Sequence, residues 1–309
     1  MRTLAPLLAC ALALPAAAQA ADGGLRTAVL LEHLNGIDAN VTYLKASGQE
    51  LKLDVFLADD RTRPQPVVLR FHGGGWVAGN RENSALTALP WLQMGFAVVN
   101  VSYRLGNTAL APAAVEDTLC ALQWVGRNAK QYNFDLSKVV TTGTSAGGHL
   151  ALTTAMIPSD SPFNNQCAAN EPTWSGPYKN PAPKVAAVVN WFGITDVADM
   201  LQGPNVRSYA VAWFGSMPNR EALARALSPL SYVRGGGPPV FTVHGDADPL
   251  VPYAHGVRLK AALDKAGVKN VLYTVKGGGH GGFAPEQQVA AFEATRDFLR
   301  SLGIVLAQP

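Results

Sequence analysis

Three residue types that together perform covalent catalysis stand in glycine-marked segments of this chain. The first is Ser145, in Gly143-Thr144-Ser145-Ala146-Gly147-Gly148. Before it comes Lys138-Val139-Val140-Thr141-Thr142, a β-branched run predicted to be a buried strand; after it comes His149 to Met156, predicted to be a buried helix. A G-x-S-x-G between a strand and a helix makes a turn so tight that side chains beside the serine would collide with the flanking backbone. Glycine at both ends and alanine after the serine remove that clash and push the hydroxyl out at the top of the sheet. The five-residue pattern alone is weak, and three further segments in chain order give it weight.

A serine hydroxyl is almost fully protonated at neutral pH and needs a base. The chain has six histidines. His33 lies in the leading segment, His72 in a glycine loop, His149 in the helix after Ser145 and His244 at the end of a strand. His280 lies in Gly277-Gly278-Gly279-His280-Gly281-Gly282-Phe283, between the last strand and the last helix. Glycine on both sides lets an exposed loop hold its ring over the serine, so His280 is the candidate base and His255 the alternative. The base needs a carboxylate to fix its tautomer and stabilise the imidazolium. His244-Gly245-Asp246-Ala247-Asp248-Pro249-Leu250-Val251-Pro252 offers Asp246 and Asp248, and Asp196, after another strand, is a third candidate. His72-Gly73-Gly74-Gly75-Trp76 directly follows the Val67 strand. Its backbone N–H groups, with that of Ala146, could bond the oxyanion of a tetrahedral intermediate.

The elements that must position these residues read as an α/β class chain. Asn40–Lys45 and Leu51–Leu57 alternate apolar and polar residues, as half-buried antiparallel strands do. From Val67 on, the apolar runs are compact: Val67–Phe71, Phe96–Val101, Val139-Val140, Val185–Val189, Val240–Val243 and Val271–Val275. Runs of this kind separated by helical patterns predict strands covered on both faces in a mostly parallel sheet. Helices are predicted over 21–38, over Ala113–Tyr132 with Val115, Leu119, Leu122 and Val125 in one stripe, and over Pro285–Leu302. Residues 158–183 and 194–237 break the alternation and carry Trp174, Tyr178, Tyr209, Trp213 and Phe214. Loops of that length are expected to form the walls or partial lid of an active site.

The 309 residues suit one large domain, and no internal repeat or long charged run is present. Residues 1–20 carry one basic residue, a short apolar core and a small-x-small site ending at Ala20, which predicts a secretory signal peptide, with 21–309 a single domain. The apolar stretch is short for a membrane anchor, and Leu7-Leu8-Ala9-Cys10 is a weaker lipoprotein signal. The expected destination is secreted or periplasmic, with no integral membrane segment in the mature form. A net charge of +3 is too small to argue for nucleic acid or an anionic membrane. Cys120 and Cys167 remain after processing, and the oxidising compartment predicts a disulfide between them. No Cys/His metal spacing is present, and the chemistry calls for no metal or organic cofactor.

Together the Gly143–Gly148 turn, the His72–Trp76 loop, the His244–Pro252 segment and the His280 loop resemble an α/β-hydrolase. Within that superfamily they are similar to secreted esterases grouped with feruloyl and acetylxylan esterases, near the hormone-sensitive-lipase-like carboxylesterases. The resemblance implies a mostly parallel central sheet covered by helices, with irregular lid or insert segments. It implies Ser145 as nucleophile, His280 as base and Asp248 as the acid, since the family's acid is the aspartate three residues after the glycine of H-G-x-x-D-x-x-V-P. It also implies Gly74 and Gly75 as oxyanion donors beside Ala146. The expected reaction is hydrolysis of short-acyl or aromatic-acyl esters, small or polysaccharide-linked. An arylformamidase and a prolyl-oligopeptidase-type peptidase share this machinery; the signal peptide argues against the first and the lack of a propeller against the second. A non-catalytic binder of the same fold would be expected to lose a member of the triad.

Overall fold

The computed structural model describes residues 36–57, 62–170 and 182–305, with the backbone alone at 168–170. Described residues fall in one compact unit, Gly36–Pro309. The expected signal peptide, His33, Trp174 and Tyr178 lie outside the described residues, as does most of the helix expected over 21–38. Its last two positions are a correction: Ile37 and Asp38 belong to strand β1 (Ile37–Ala46), opposite Phe56 and Val55 of β2 (Gln49–Phe56). Antiparallel pairing to a strand further along the chain overrides the helical spacing there.

Six further strands follow: β3 (Gln65–Phe71), β4 (Ala97–Val101), β5 (Phe134–Thr144), β6 (Val185–Trp191), β7 (Val240–Gly245) and β8 (Asn270–Val275). They form one eight-stranded sheet in the order β1-β2-β4-β3-β5-β6-β7-β8. The β1–β2 and β2–β4 pairs are antiparallel and every pair from β4 to β8 is parallel. The chain steps from β3 out to β4 and returns to β5 on the other side of β3. In open α/β sheets the crevice at such a reversal, at the carboxyl ends of the strands, is where ligands bind.

The helices are α1 (Leu89–Gln93), α2 (Ala113–Tyr132), α3 (Ala146–Met156), α4 (Asn165–Asn170), α5 (Ser208–Phe214), α6 (Arg220–Ala226), α7 (Ala254–Lys265) and α8 (Pro285–Arg300). They cover both faces, which is why the strands read as unbroken apolar runs. Val67, Leu69 and Phe71 face a core shared with α2, α3 and α7, whereas Val68 faces a second core with Trp91 of α1 and Phe298 of α8. The disulfide Cys120–Cys167 joins α2 to α4. Residues 194–237, expected to lack regular structure, include the short helices α5 and α6. Ala210, Trp213 and Phe214 fall at helical spacing and are fully buried, so burial stabilises a helix too short to stand alone. Among the described residues no helix is long and apolar enough to cross a membrane.

Candidate active site

Ser145 is the residue between β5 and α3, with φ 57° and ψ −120°. That conformation is rare for a residue with a side chain and is held by its surroundings. Its N–H donates to Trp191 O at 2.9 Å, and its carbonyl accepts the His149 N–H at 3.1 Å. Gly147 shows why the turn is glycine-rich: a Cβ there would stand 2.1 Å from Phe71 O and 2.6 Å from His72 O. The helix start is thus pressed against the end of β3. Phe71 lies opposite Gly143 in the sheet, so the His72–Trp76 loop leaves beside the serine turn. A Cβ on Gly73 would be 3.5 Å from Cβ of Ser145.

The glycine loop is anchored by its aromatic end. Trp76 is fully buried, stacks on Trp213 at 4.2 Å and donates from Nε1 to His149 Nδ1 at 3.1 Å. His149 Nε2 therefore carries the hydrogen, which it donates to Leu227 O at 2.7 Å. Burial pushes His149 down to about 4, so it is neutral at neutral pH. His72 is likewise pushed down to about 4, first by burial, and its Nδ1–H donates to Gly73 O at 2.7 Å. Ala146 opens α3, where backbone N–H groups have no intrahelical partner. Gly73 borders the Ser145 turn, with Gly74 and Gly75 following it in the same loop.

His280 and Asp248 are in contact. His280 Nδ1 donates to Asp248 Oδ2 at 2.7 Å; the Asp248 side chain is fully buried and that of His280 is 14% exposed. Two loops must meet for this, and Gly245 permits it: a Cβ there would stand 2.2 Å from Gly278 O. Asp248 Oδ1 accepts the N–H groups of Leu250 at 2.8 Å and Val251 at 2.9 Å. Burial pushes the Asp248 carboxyl up, but hydrogen bonds from His244, His280 and the Val251 N–H outweigh it and hold the group far below the usual range. An ionised carboxylate against Nδ1 leaves Nε2 of His280 as the free base.

The other candidates are engaged elsewhere. Asp246 pairs with Lys276 at 3.0 Å and accepts the Gly277 N–H at 2.7 Å, bracing the start of the His280 loop. Asp196 pairs with Arg258 at 3.2 Å and accepts the Asp199 N–H at 3.3 Å. His255 is fully buried, its Nδ1 accepting the Thr195 N–H at 3.2 Å.

Three residues at the site were not singled out by sequence for the parts they play. Phe192 has φ 41°, and its ring meets His280 edge-on at 4.8 Å. It directly follows Trp191, the acceptor for Ser145 N, so one strand end touches both residues. Its only sequence signal is its place beside Gly193 at the end of a buried strand. Tyr209 of α5 lies over Gly75, whose Cβ would be 2.7 Å from its ring, and its hydroxyl donates to Leu250 O at 3.3 Å. Burial pushes that hydroxyl up to about 12. Arg207 adds bonds to Leu250 O at 3.0 Å and Pro249 O at 3.1 Å, so the 194–237 segment ties the Asp248 turn to the glycine loop. The third, His244, sits under Asp248. Trp213 and Phe214, carried by the same segment, are fully buried core residues.

A family profile, BD-FAE, matches residues 53–263. The chain is 28% identical over 264 residues to esterase LipQ of Mycobacterium tuberculosis, covering 82% of this chain and 59% of that protein. It is 27% identical to a probable carboxylic ester hydrolase, LipM, of the same organism, covering 76% of this chain and 54% of that protein. The chain thus spans a little over half the length of these relatives. Among solved structures, a truncated carbohydrate esterase from gut microbiota superposes with a TM-score of 0.73 at 29% identity, covering 87% of this chain and 97% of the other. Thermogutta terrifontis esterase 2, phosphonylated by cyclosarin, superposes at 0.71 with 25% identity, covering 89% and 97%.

Proposed function

The chain belongs to the BD-FAE family and has the α/β-hydrolase fold, and on that premise we propose that it is an exported serine carboxylesterase using Ser145, His280 and Asp248. The observation that carries the reading is the 2.7 Å bond from His280 Nδ1 to the fully buried side chain of Asp248, in a site where Phe192 joins His280 to the strand end that holds Ser145. Ser145 Oγ attacks the ester carbonyl while Nε2 of His280 takes its proton. Asp248 keeps the Nδ1 tautomer and stabilises the imidazolium. The backbone N–H groups of Gly74, Gly75 and Ala146 bond the oxyanion. The alcohol leaves with the proton from His280, and water, activated by the same base, releases the acid.

The proposed substrates are short-acyl or aromatic-acyl esters, including sugar-linked ones. Similarity to a carbohydrate esterase supports the sugar-linked class. Tyr209, half-buried over the glycine loop, supplies an aromatic wall beside the proposed oxyanion site. The short helices α5 and α6 provide no broad amphipathic lid for long chains. Export is proposed from the leader at residues 1–20 and agrees with a disulfide between Cys120 and Cys167.

Ser145→Ala decides the mechanism. On p-nitrophenyl acyl esters, methyl ferulate, acetylated xylan and N-formylkynurenine, the folded variant is expected to lose about 10⁴-fold or more in kcat. Activity within tenfold of the parent protein removes Ser145 as nucleophile. Acetyl, butyryl or feruloyl esters are expected to be best, with rates falling beyond about ten carbons. A preference for N-formylkynurenine would move the reading to an arylformamidase.

A further inference from the structure

Asp248 is approached by two imidazoles. His280 Nδ1 is 2.7 Å from Oδ2, and Nε2 of His244 is 3.4 Å from the same oxygen. His244 Nε2 also faces Val251 O at 3.0 Å. A carbonyl oxygen can only accept, so Nε2 carries a hydrogen that it donates to Val251 O, with Asp248 Oδ2 3.4 Å from the same nitrogen. Val251 closes the ring of contacts, because its own N–H donates to Asp248 Oδ1.

The rest of the His244 ring makes no polar contact that accounts for an imidazole. The residue is fully buried, and Nδ1 has no hydrogen-bond partner among the described residues. Tyr253 meets the ring edge-on at 5.6 Å, and Gly256 of α7 packs against it. Leucine or phenylalanine would fill that space without leaving a buried nitrogen bare, which is unfavourable. What an imidazole adds here is one donor aimed at Asp248 and the carbonyl three residues beyond it.

From this geometry we infer that His244 is a positioning residue, which fixes the orientation and charge of Asp248 and through it the readiness of His280 to accept a proton. The inference rests on the Ser145–His280–Asp248 reading. A donor on Oδ2 disperses the charge that His280 feels. Removing it leaves a carboxylate that grips Nδ1–H more strongly and has one neighbour fewer to fix its orientation. The imidazolium is then favoured to higher pH, and the free base is less well aimed. Among the described residues, the other titratable and charged groups around this pair are Tyr253 and His255 at the start of α7, Asp199 and Arg258 behind His255, and Tyr209 and Arg207 on the Asp248 side. Burial pushes His255 down to about 3, so it carries no charge in the working range.

The test is the pH dependence of kcat and KM on p-nitrophenyl acetate for the full chain with His244→Leu, His244→Asn, His244→Gln and Ser145→Ala. His244→Leu is expected to lower kcat about tenfold, leave KM within about twofold, and move the acid limb of kcat/KM up by about half a pH unit or more. Asparagine, too short to reach Val251 and Asp248, should behave like leucine and serves if the leucine variant does not fold. Glutamine places an amide N–H near the position of Nε2 and should restore the limb and most of the rate. An unmoved acid limb in whichever of the leucine and asparagine variants folds, or a loss that glutamine does not recover, overturns the inference and leaves His244 as packing. Retained activity in Ser145→Ala would instead bring down the triad reading itself.

Discussion

At the scale of residues, the two aspartates of the β7 turn lie two positions apart and do different work. Asp246 accepts from Gly277 and pairs with Lys276, whereas Asp248 accepts from His280. Asparagine at 248 keeps the shape but loses the charge and can stabilise the wrong imidazole tautomer. Under the proposed mechanism Asp248→Asn is expected to cut kcat by about 10⁴-fold, with Asp246→Asn and Asp196→Asn within about tenfold of the parent. Steady-state kinetics on the three purified variants decide it, and a severe Asp196→Asn would move the acid to the end of β6. Phe192 belongs at this scale too. Its left-handed φ of 41° is maintained while its ring packs on His280 and on Phe283, at 4.8 and 5.8 Å.

At the scale of elements, α3 begins at the serine turn and touches α2 through Thr154 and Thr118, and the disulfide ties α2 to the segment that follows α3. Both cysteines are fully buried, 47 positions apart in sequence. A loop of that length gives about 4 kcal/mol in the chain-entropy account, an upper figure once residual structure in the unfolded chain is considered. The Cys120→Ala/Cys167→Ala variant is expected to lose about 2 to 4 kcal/mol in urea unfolding while its rate on p-nitrophenyl acetate at 25 °C, under the proposed activity, stays within about twofold. An unchanged unfolding midpoint would show that the bridge does not constrain the unfolded chain. α2 also carries a buried ion pair, Arg104 Nη2 to Asp117 Oδ1 at 2.7 Å, which fixes its start against the loop after β4. Breaking that pair would strand a buried charge, so its role is separate from that of the disulfide.

For the whole molecule, the acid side of the stability profile is set first by histidines. Burial pushes His72 and His149 down to about 4 and His255 to about 3, from an ordinary value of 6.5. As pH falls from 6.5 the unfolded chain takes these protons before the folded one does. The stability they leave intact above 6.5 is therefore lost progressively down to about 4 and 3, at about 1.4 kcal/mol for each unit of each shift. Asp248, held far below the ordinary carboxylate value, contributes stability that is present above the unfolded carboxylate range and is lost only at lower pH. Urea midpoints are expected to fall steadily from pH 6.5 to 4.5; a flat or rising profile would contradict the neutral, buried state of these rings. His149 gives the effect a structural consequence. A proton on its Nδ1 faces the Trp76 N–H, so acid loosens the contact that joins the glycine loop, α3 and the 194–237 segment.

What the sequence determined by itself was the local part. Burial on one or both faces leaves its period in the chain, so the Val67–Phe71 run, the Ala113–Tyr132 stripe and the final helix were legible, β3 (Gln65–Phe71), α2 (Ala113–Tyr132) and α8 (Pro285–Arg300) being their structural counterparts. Glycine runs were legible for the same reason: the close approach at Gly147 excludes any Cβ, and that exclusion shows at the position itself. Tertiary structure decided the contacts between distant segments. Asp246 and Asp248 are alike in local terms, and only the path of the loop after β8 sends one to Gly277 and the other to His280. Ile37 and Asp38 became strand because β2 lies beside them. Trp213 reads from sequence as well suited to an active-site wall as to a core, and it entered the core because Trp76 was there to stack on. His244 and Phe192 acquire their places under Asp248 and His280 from the order of strands in the sheet. Periodicity is set by a residue's own neighbours along the chain, and strand order is set by the packing of all of them.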